Sequence, residues 1–130
     1  MSYTKKNLRD VENAAGSLGA GGGFEARFAA GDLEADATGL ALEKLGPGGR
    51  SPFAHRHEKA EEIYVVLSGS GRAKLDDEVV ELRTLDALRV APAVLRAFEA
   101  GDDGLELLAF GPRHQGDGEL VHKDVFADEG

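Results

Sequence analysis

The chain has 130 residues, of which 42% are hydrophobic, and it contains no cysteine. That length favours one domain with a single core, and the lack of cysteine excludes disulfides, thiolate metal sites and cysteine nucleophiles. The 24 Asp and Glu residues outnumber the 15 Lys and Arg residues and give a formal net charge of -9. Such a field repels nucleic acid and anionic membranes, so neither is expected as a partner.

The first part of the chain, 1–36, is polar and rich in glycine. Its first residues carry lysines with no apolar stretch behind them, so we expect no secretory signal and a cytoplasmic location. The pattern over 4–14 permits a short helix, whereas "GSLGAGGG" at 16–23 predicts a loop. We therefore expect an N-terminal arm and a first strand over 1–36, ahead of a β-domain over 37–112.

From residue 24 onward the chain alternates short apolar and polar segments between turn residues. Nine segments have strand length and lie at 24–30, 38–45, 53–57, 62–68, 71–75, 78–82, 86–91, 95–100 and 105–110. Turns are predicted between them, including 69–71 and 101–104. This pattern predicts an all-β fold, a small antiparallel β-barrel or jelly roll. The alternation fades after the last segment, so 113–130 is expected to be an irregular tail of the same domain.

Two histidines, His55 and His57, lie two residues apart in one predicted strand. Their side chains therefore share a face of that strand, about 7 Å apart. Glu62 in the next strand reaches the same space if that face is the barrel interior. Two imidazoles and one carboxylate suit divalent Fe, Mn, Ni or Zn and leave coordination positions open. A histidine pair on a strand is also ordinary in a core or on a surface, so the pair alone does not establish a metal site.

The spacing around these residues is more specific than the pair itself. Five residues separate Gly49 from His55, four separate His57 from Glu62, and six separate Glu62 from Gly69. At these positions the chain resembles the first motif of the cupin superfamily. In cupins the two histidines and the glutamate bind a metal, and the glycines shape the turns of a small β-barrel. The resemblance implies a small single-domain cupin with a divalent-metal site.

The second cupin motif is degenerate in this chain, although the resemblance extends over roughly 37–110. Aligning "LDALRVAPAVLRAFEA" with that motif puts Leu85 at the first glycine and Ala93 at the second. Arg96 then stands where cupins have a histidine as the fourth metal ligand. A shifted alignment puts Ala97 there instead, and neither choice supplies a ligand.

Arg96 opens three alternatives, because a guanidinium stays protonated and has no lone pair for a metal. In the first, His55, His57 and Glu62 hold a metal while Arg96 grips an anionic group of a bound small molecule. In the second, Arg96 takes the place of the metal and pairs with Glu62. In the third, Arg96 extends from the barrel mouth into solvent.

Tyr64 and Phe98 are the other predicted ligand-binding residues. Tyr64 shares a strand face with Glu62, so it is a candidate hydrogen-bond donor or general acid; the alternative is a core tyrosine with its hydroxyl at the barrel mouth. Phe98 has the same parity as Arg96, which places both on the inward face. Two further histidines lie in the tail, where they either fold over the mouth or stay exposed: His114 and His122.

Two classes of function fit these features. The first is a cupin that binds a small ligand, anionic if Arg96 contacts it, without chemistry. The second is a metal-dependent enzyme of the dioxygenase or isomerase type that uses the open metal positions. The fold hosts many unrelated activities and does not choose between them. No organic cofactor is expected, since no dinucleotide or phosphate-loop motif is present. Cupins commonly pair edge strands, so we expect a homodimer, with the segment before residue 30 as a plausible exchange element.

Overall fold

The computed structural model describes residues 2–20, 22–114, 116–122 and 124–128. The strands are β1 (Phe24–Phe28), β2 (Thr38–Leu45), β3 (Ala54–His57), β4 (Glu62–Leu75), β5 (Glu78–Arg83), β6 (Ala87–Val90), β7 (Arg96–Pro112) and β8 (Gly118–Val121). Short 3₁₀ turns lie at Leu8–Asp10, Gly16–Leu18 and Val125–Asp128. Within the described ranges, no helix has the length and apolar character needed to cross a membrane.

The pairing of β4 with β7 is the centre of the sheet. These two long strands run antiparallel and pair along most of their lengths. Around the first half of β4 and the second half of β7, the strand order is β1, β2, β7, β4 and β6. Around the other half, β8 and β3 flank β7, and β5 flanks β4. The sheet curls so that both halves enclose one core, and the predicted all-β antiparallel barrel is confirmed.

Alternate side chains of both halves meet inside this curled sheet. The core includes Phe24 of β1, Leu45 of β2, Tyr64 of β4, and both Phe98 and Leu107 of β7. This is the inward face on which the sequence pattern placed its candidate residues. A second, smaller cluster lies on the other side of β3 and is formed by Ala54, Ala97, Val125 and Phe126.

Two predicted turns lie inside strands instead, at 69–71 and 101–104. Gly69 has a φ of 79°, and the pairing register of β4 with β7 shifts on either side of it. A Cβ atom on Gly71 would collide with the carbonyl oxygen of Glu99 on the paired strand. These glycines let the strands bulge and bend without reversing the chain. Four of the nine predicted segments therefore join into two long strands.

The two ends of the chain differ in detail from their sequence patterns. The stretch 4–14 contains a single 3₁₀ turn, and the tail contributes β8, which pairs with β3. Most of β8 is exposed, so backbone pairing with β3 holds this strand in place. An exposed strand needs no alternation of apolar residues, and the sequence pattern therefore did not predict β8. Some residues of the predicted arm, loop and tail lie outside the described part of the chain: Met1, Gly21, Gln115, Lys123, Glu129 and Gly130.

We expect Gly71→Ala to lower the free energy of unfolding by about 1–3 kcal/mol, because the added methyl group forces the paired strands apart. Urea unfolding followed by circular dichroism measures this change. Gly31→Ala is the matched control, since a methyl group added at Gly31 meets no heavy atom of the described chain within 4 Å. Equal free energies of unfolding for the two variants would contradict the role assigned to Gly71.

Candidate metal centre

The curled sheet brings the first-motif residues and Arg96 together. His55 on β3 and Arg96 on β7 are direct cross-strand partners. His57 follows two residues later on β3, and the two imidazole centroids are 5.3 Å apart. Glu62 and Tyr64 lie on the same face of β4, with the Tyr64 hydroxyl 2.8 Å from Oε1 of Glu62. The shared face predicted from strand alternation therefore exists, and it points into the barrel.

His55, His57 and Glu62 form a cluster whose candidate ligand atoms all lie within 4.8 Å of one another. Nε2 of His57 is 2.9 Å from Oε1 of Glu62, and Nε2 of His55 is 3.3 Å from the same oxygen. Two ligands at right angles on one ion, each about 2.1 Å from it, are about 3 Å apart. The spacing of these side chains therefore suits a single transition metal ion.

His57 provides an independent sign that a cation fits here. Both ring nitrogens are buried and have no aligned hydrogen-bond partner among the described residues, although Nε2 is close to a carboxylate oxygen. A polar atom that has left water without a partner destabilises the fold. A metal bound to Nε2 satisfies that atom, and two imidazoles with one carboxylate are a common divalent-metal set. The residues present therefore fit a metal.

Four side chains converge on Oε1 of Glu62. Besides the two imidazoles, it accepts hydrogen bonds from the Tyr64 hydroxyl at 2.8 Å and from Nη1 of Arg96 at 2.7 Å. Burial alone raises the pKa of Glu62, but the His55 and His57 imidazoles beside its carboxylate outweigh this effect and hold the pKa well below its ordinary value. Glu62 therefore remains a carboxylate, the form that a metal requires.

Arg96 is completely buried, with 0% of its surface exposed. Its Nη2 donates to the carbonyl oxygens of Ala91 and Pro92, at 2.7 and 3.0 Å, and its Nε donates to Val94 at 3.0 Å. The alternative in which Arg96 extends into solvent is therefore wrong. These bonds and the one to Glu62 use four of the five guanidinium N–H groups, which leaves little capacity for clamping an incoming anion.

The backbone also decides between the two alignments of the second motif. Leu85, at the place of the first glycine, has a φ of 72°, a conformation that favours glycine. Arg96 points to the cluster where a fourth ligand belongs. Ala97 packs on the other side of the sheet, in the small outer cluster with Ala54. The shifted alignment is wrong.

Tyr64 and Phe98 form the wall behind the cluster. Their rings are 4.8 Å apart, and only 2% and 4% of their surfaces are exposed. The Tyr64 hydroxyl is 3.2 Å from Nε2 of His55. Burial raises the pKa of Tyr64 well above its usual value, with a further rise from the Glu62 charge. Tyr64 therefore keeps its proton and donates to Glu62.

Asp117 lies behind His57 and has no counterpart in the sequence prediction. Its Oδ2 atom is 3.3 Å from Nδ1 of His57, and 4% of its side chain is exposed. Burial alone raises the pKa of Asp117, but hydrogen bonds from the backbone N–H groups of Ala60, Lys59 and Glu58 outweigh it and lower the pKa. Asp117 is 60 residues from His57 in a stretch without strand alternation, so no local signal connects the two.

Glu43 is the second carboxyl group that the sequence prediction missed. It lies on the inward side of β2 and lines a cavity of about 20 Å³, enough for about one water molecule, together with His55, Arg96 and Phe98. Burial raises the pKa of Glu43, and the nearby Glu62 charge raises it further, against a lowering effect of His55. Strand alternation in β2 puts Glu43 on the same face as the core residues Ala41 and Leu45, but no sequence motif marks it as a site residue.

A larger cleft of about 660 Å³ opens on the other side of the cluster. His57 and Glu62 line its inner end. Its other walls mix apolar and charged side chains, including Phe28, Leu40, Phe110, Arg113 and His114. The cleft is wide enough for a small molecule and leads to the candidate metal ligands. His114 thus lies at this mouth, whereas the exposed His122 contacts Phe53.

The same residues fall within a recognisable family pattern. Residues 41–111 match the sequence profile that describes the cupin domain. This chain belongs to the cupin family. The matched range contains both motifs, so it covers His55, His57, Glu62 and Arg96, and it ends before Asp117.

Individual known proteins are similar to this cupin at lower identity. An uncharacterized protein of Methanocaldococcus jannaschii is 36% identical over 50 residues, which are 38% of this chain and 40% of that protein. A cupin protein from Bacteroides fragilis superimposes with a TM-score of 0.71 at 24% identity, covering 98% of this chain and 95% of its own. Oxalate decarboxylase of Bacillus subtilis, in a structure concerned with its Mn(II) centers, superimposes with a TM-score of 0.72 at 19% identity. The match covers 86% of this chain and 30% of the decarboxylase chain. These structures share the fold.

Because the pKa of Glu43 is raised in the folded chain, the unfolded chain loses this proton at a lower pH. The stability associated with Glu43 is therefore lost as pH rises from the unfolded toward the folded pKa. We therefore compare the free energy of unfolding of Glu43→Gln with that of the native protein at two pH values. We expect this difference to favour the variant more at about pH 8 than at about pH 4. Urea unfolding at both pH values measures the difference, with the exposed Glu81→Gln as control. A gain that does not depend on pH would contradict this expectation.

Proposed function

We propose that this cupin binds one divalent transition metal through His55, His57 and Glu62, and that a small molecule from the cleft coordinates that metal. The observation that carries the proposal is the pair of imidazoles beside the ionised Glu62: Nε2 of His57 and Nε2 of His55 lie 2.9 and 3.3 Å from one carboxylate oxygen, the spacing of neighbouring ligands on one ion. Three protein ligands leave open positions for an oxygen donor of the ligand. The metal is one of Fe, Mn, Ni or Zn.

The other predicted site residues support the three ligands from behind. Arg96 and Tyr64 both donate to Oε1 of Glu62, and Phe98 packs on Tyr64. We assign Arg96 the role of orienting Glu62, because three of its other four N–H groups are bound to backbone carbonyls. These three side chains therefore shape the site without direct contact with the ligand.

The cleft indicates the chemical class of the ligand. It offers apolar surface from Phe28, which is 50% exposed, and from Leu40 and Phe110. Arg113 stands at the same cleft and donates from Nη1 to the carbonyl oxygen of Ala35. A guanidinium has five N–H groups, so Arg113 can also bind an anion at this cleft. A small molecule with an apolar body and a carboxylate or similar oxygen group fits these walls.

A metal-dependent enzyme is the second candidate, and Glu43 favours it. A divalent metal in such a site polarises a coordinated oxygen of the substrate. Burial raises the pKa of Glu43, which lines a cavity that also touches His55, and the Tyr64 hydroxyl donates to Glu62. The chain therefore places a buried carboxyl group and a hydroxyl donor next to the cluster, and both are groups that take part in acid–base chemistry.

A metal-free cupin is the third candidate. The 2.7 Å contact from Nη1 of Arg96 to Glu62 favours it, since the buried guanidinium then balances the carboxylate charge in place of a metal. The metal content of the purified protein separates this candidate from the first two.

We expect protein purified without chelator to contain close to one equivalent of transition metal, measured by elemental analysis. His55→Ala removes one of three ligands and should reduce the content below about a tenth of an equivalent. His122→Ala is the matched control, because His122 is exposed and lies outside both the cluster and the cleft. A native protein that holds no metal and takes up none on titration with Mn(II) would leave the metal-free candidate.

Arg96→His should add the missing fourth ligand. We expect Arg96→His to bind Co(II) or Mn(II) about tenfold tighter than Arg96→Gln, a difference of about 1.4 kcal/mol. Arg96→Gln is the matched control, since both variants remove the guanidinium and only one supplies an imidazole. Calorimetric titration measures both affinities. Equal affinities would contradict the position assigned to residue 96.

The homodimer remains a prediction. In this chain β1 pairs with its own β2, so strand exchange is not needed to complete the sheet. Among the described strands β8 pairs on one side only, with β3, and its Leu120 is 41% exposed. Such an edge suits pairing with a second copy. Light scattering at micromolar concentration should give twice the chain mass, and a monomer would contradict the prediction.

The cytoplasmic location likewise stays a prediction.

A further inference from the structure

Asp117 is held rigidly between a backbone loop and the His57 ring. Its Oδ1 accepts hydrogen bonds from the N–H groups of Glu58 at 3.1 Å and Lys59 at 2.8 Å. Its Oδ2 accepts one from the N–H of Ala60 at 3.0 Å and is 3.3 Å from Nδ1 of His57. With 4% of the side chain exposed, water does not compete for these contacts. The carboxylate therefore keeps one oxygen 3.3 Å from Nδ1 of the imidazole, a charged contact that is not aligned as a hydrogen bond in this structure.

The chemistry of this contact determines where the ring carries its proton. An ionised carboxylate only accepts hydrogen bonds, so the proton of a neutral His57 is favoured on Nδ1. Nε2 then keeps its lone pair, and Nε2 is the atom that lies 2.9 Å from Oε1 of Glu62. Two electron-rich atoms at that distance attract a cation between them. A metal requires the lone pair on Nε2 in particular.

We propose that Asp117 is the positioning residue of the metal centre: it holds the proton of His57 on Nδ1 and so directs Nε2 to the metal. This inference rests on the proposed metal site and extends it to the segment that precedes β8. Because β8 pairs with β3 from Ala54 to His57, the strand that carries both histidines also fixes the segment that carries Asp117. The C-terminal segment is therefore part of the site.

Asp117→Asn reverses the polarity of the contact with little change in shape. The amide oxygen can still accept from Glu58 and Lys59, whereas the amide nitrogen loses the bond from the N–H of Ala60 and now donates toward Nδ1 of His57. The proton of the ring should then move to Nε2, where it blocks metal binding. Glu119→Gln is the matched control: it makes the same chemical change on β8, at a side chain that is 67% exposed and lies 3.6 Å from Arg56.

The test has two readouts. In the metal-free protein at about pH 9, where an ordinary histidine is neutral, ¹⁵N NMR shows whether Nδ1 of His57 carries a proton. We expect a protonated Nδ1 in the native protein and in Glu119→Gln, and an unprotonated Nδ1 in Asp117→Asn. Calorimetric titration with Zn(II) should show about 10–100-fold weaker binding for Asp117→Asn and unchanged binding for Glu119→Gln.

An Nδ1 that is protonated in both the native protein and Asp117→Asn would overturn the inference, as would equal Zn(II) affinities. If Asp117→Asn does not fold, Asp117→Glu carries the test, since it keeps an accepting carboxylate and should keep Nδ1 protonated; an unprotonated Nδ1 there would overturn the inference. A native protein that binds no metal refutes the proposed function instead. In that case the metal-free NMR comparison still decides whether Asp117 places the proton of His57.

Discussion

The antiparallel pairing of β4 with β7 is the constraint on which the site depends. Glu62 and Tyr64 lie near the start of β4, whereas Arg96 and Phe98 lie near the start of β7, at the opposite end of the shared ladder. The two starts meet only because both strands bend at the glycine bulges and the sheet curls onto itself. Replacing the bend by a straight ladder would separate Glu62 from Arg96, so the glycine bulges contribute to assembling the site.

Once the sheet has closed, the charge of Glu62 organises its surroundings. The pKa of Glu62 is lowered by the imidazoles against the effect of burial, and Arg96 and Tyr64 donate to the same oxygen. The pKa of Glu43 is raised in the same interior. Two carboxyl groups thus take opposite protonation preferences in one barrel, because one has donors around it and the other has mainly burial. This contrast is a feature of sites that bind cations and move protons.

The C-terminal segment connects the edge of the sheet to the centre of the site. β8 is held by backbone pairing with β3, and Asp117 at its start contacts His57. On the other side of β3, Val125 and Phe126 pack on Ala54 and Ala97. The strand that carries the histidines is therefore fixed on both faces, which limits the freedom of the two imidazoles.

The sequence alone determined the strand-rich fold and the inward face shared by His55, His57 and Glu62, because strand alternation and residue spacing are local properties of the chain. The resemblance to cupins, and not the alternation, assigned Arg96 to the position of a fourth ligand. Only the tertiary structure decided that 69–71 bends a continuous strand, since that depends on how closely two distant strands approach. It also decided the contacts of Asp117 and Glu43, which are remote in sequence from the residues they face. Burial and contacts between such remote groups arise only when the sheet closes, so the spacing of these residues along the chain does not predict them.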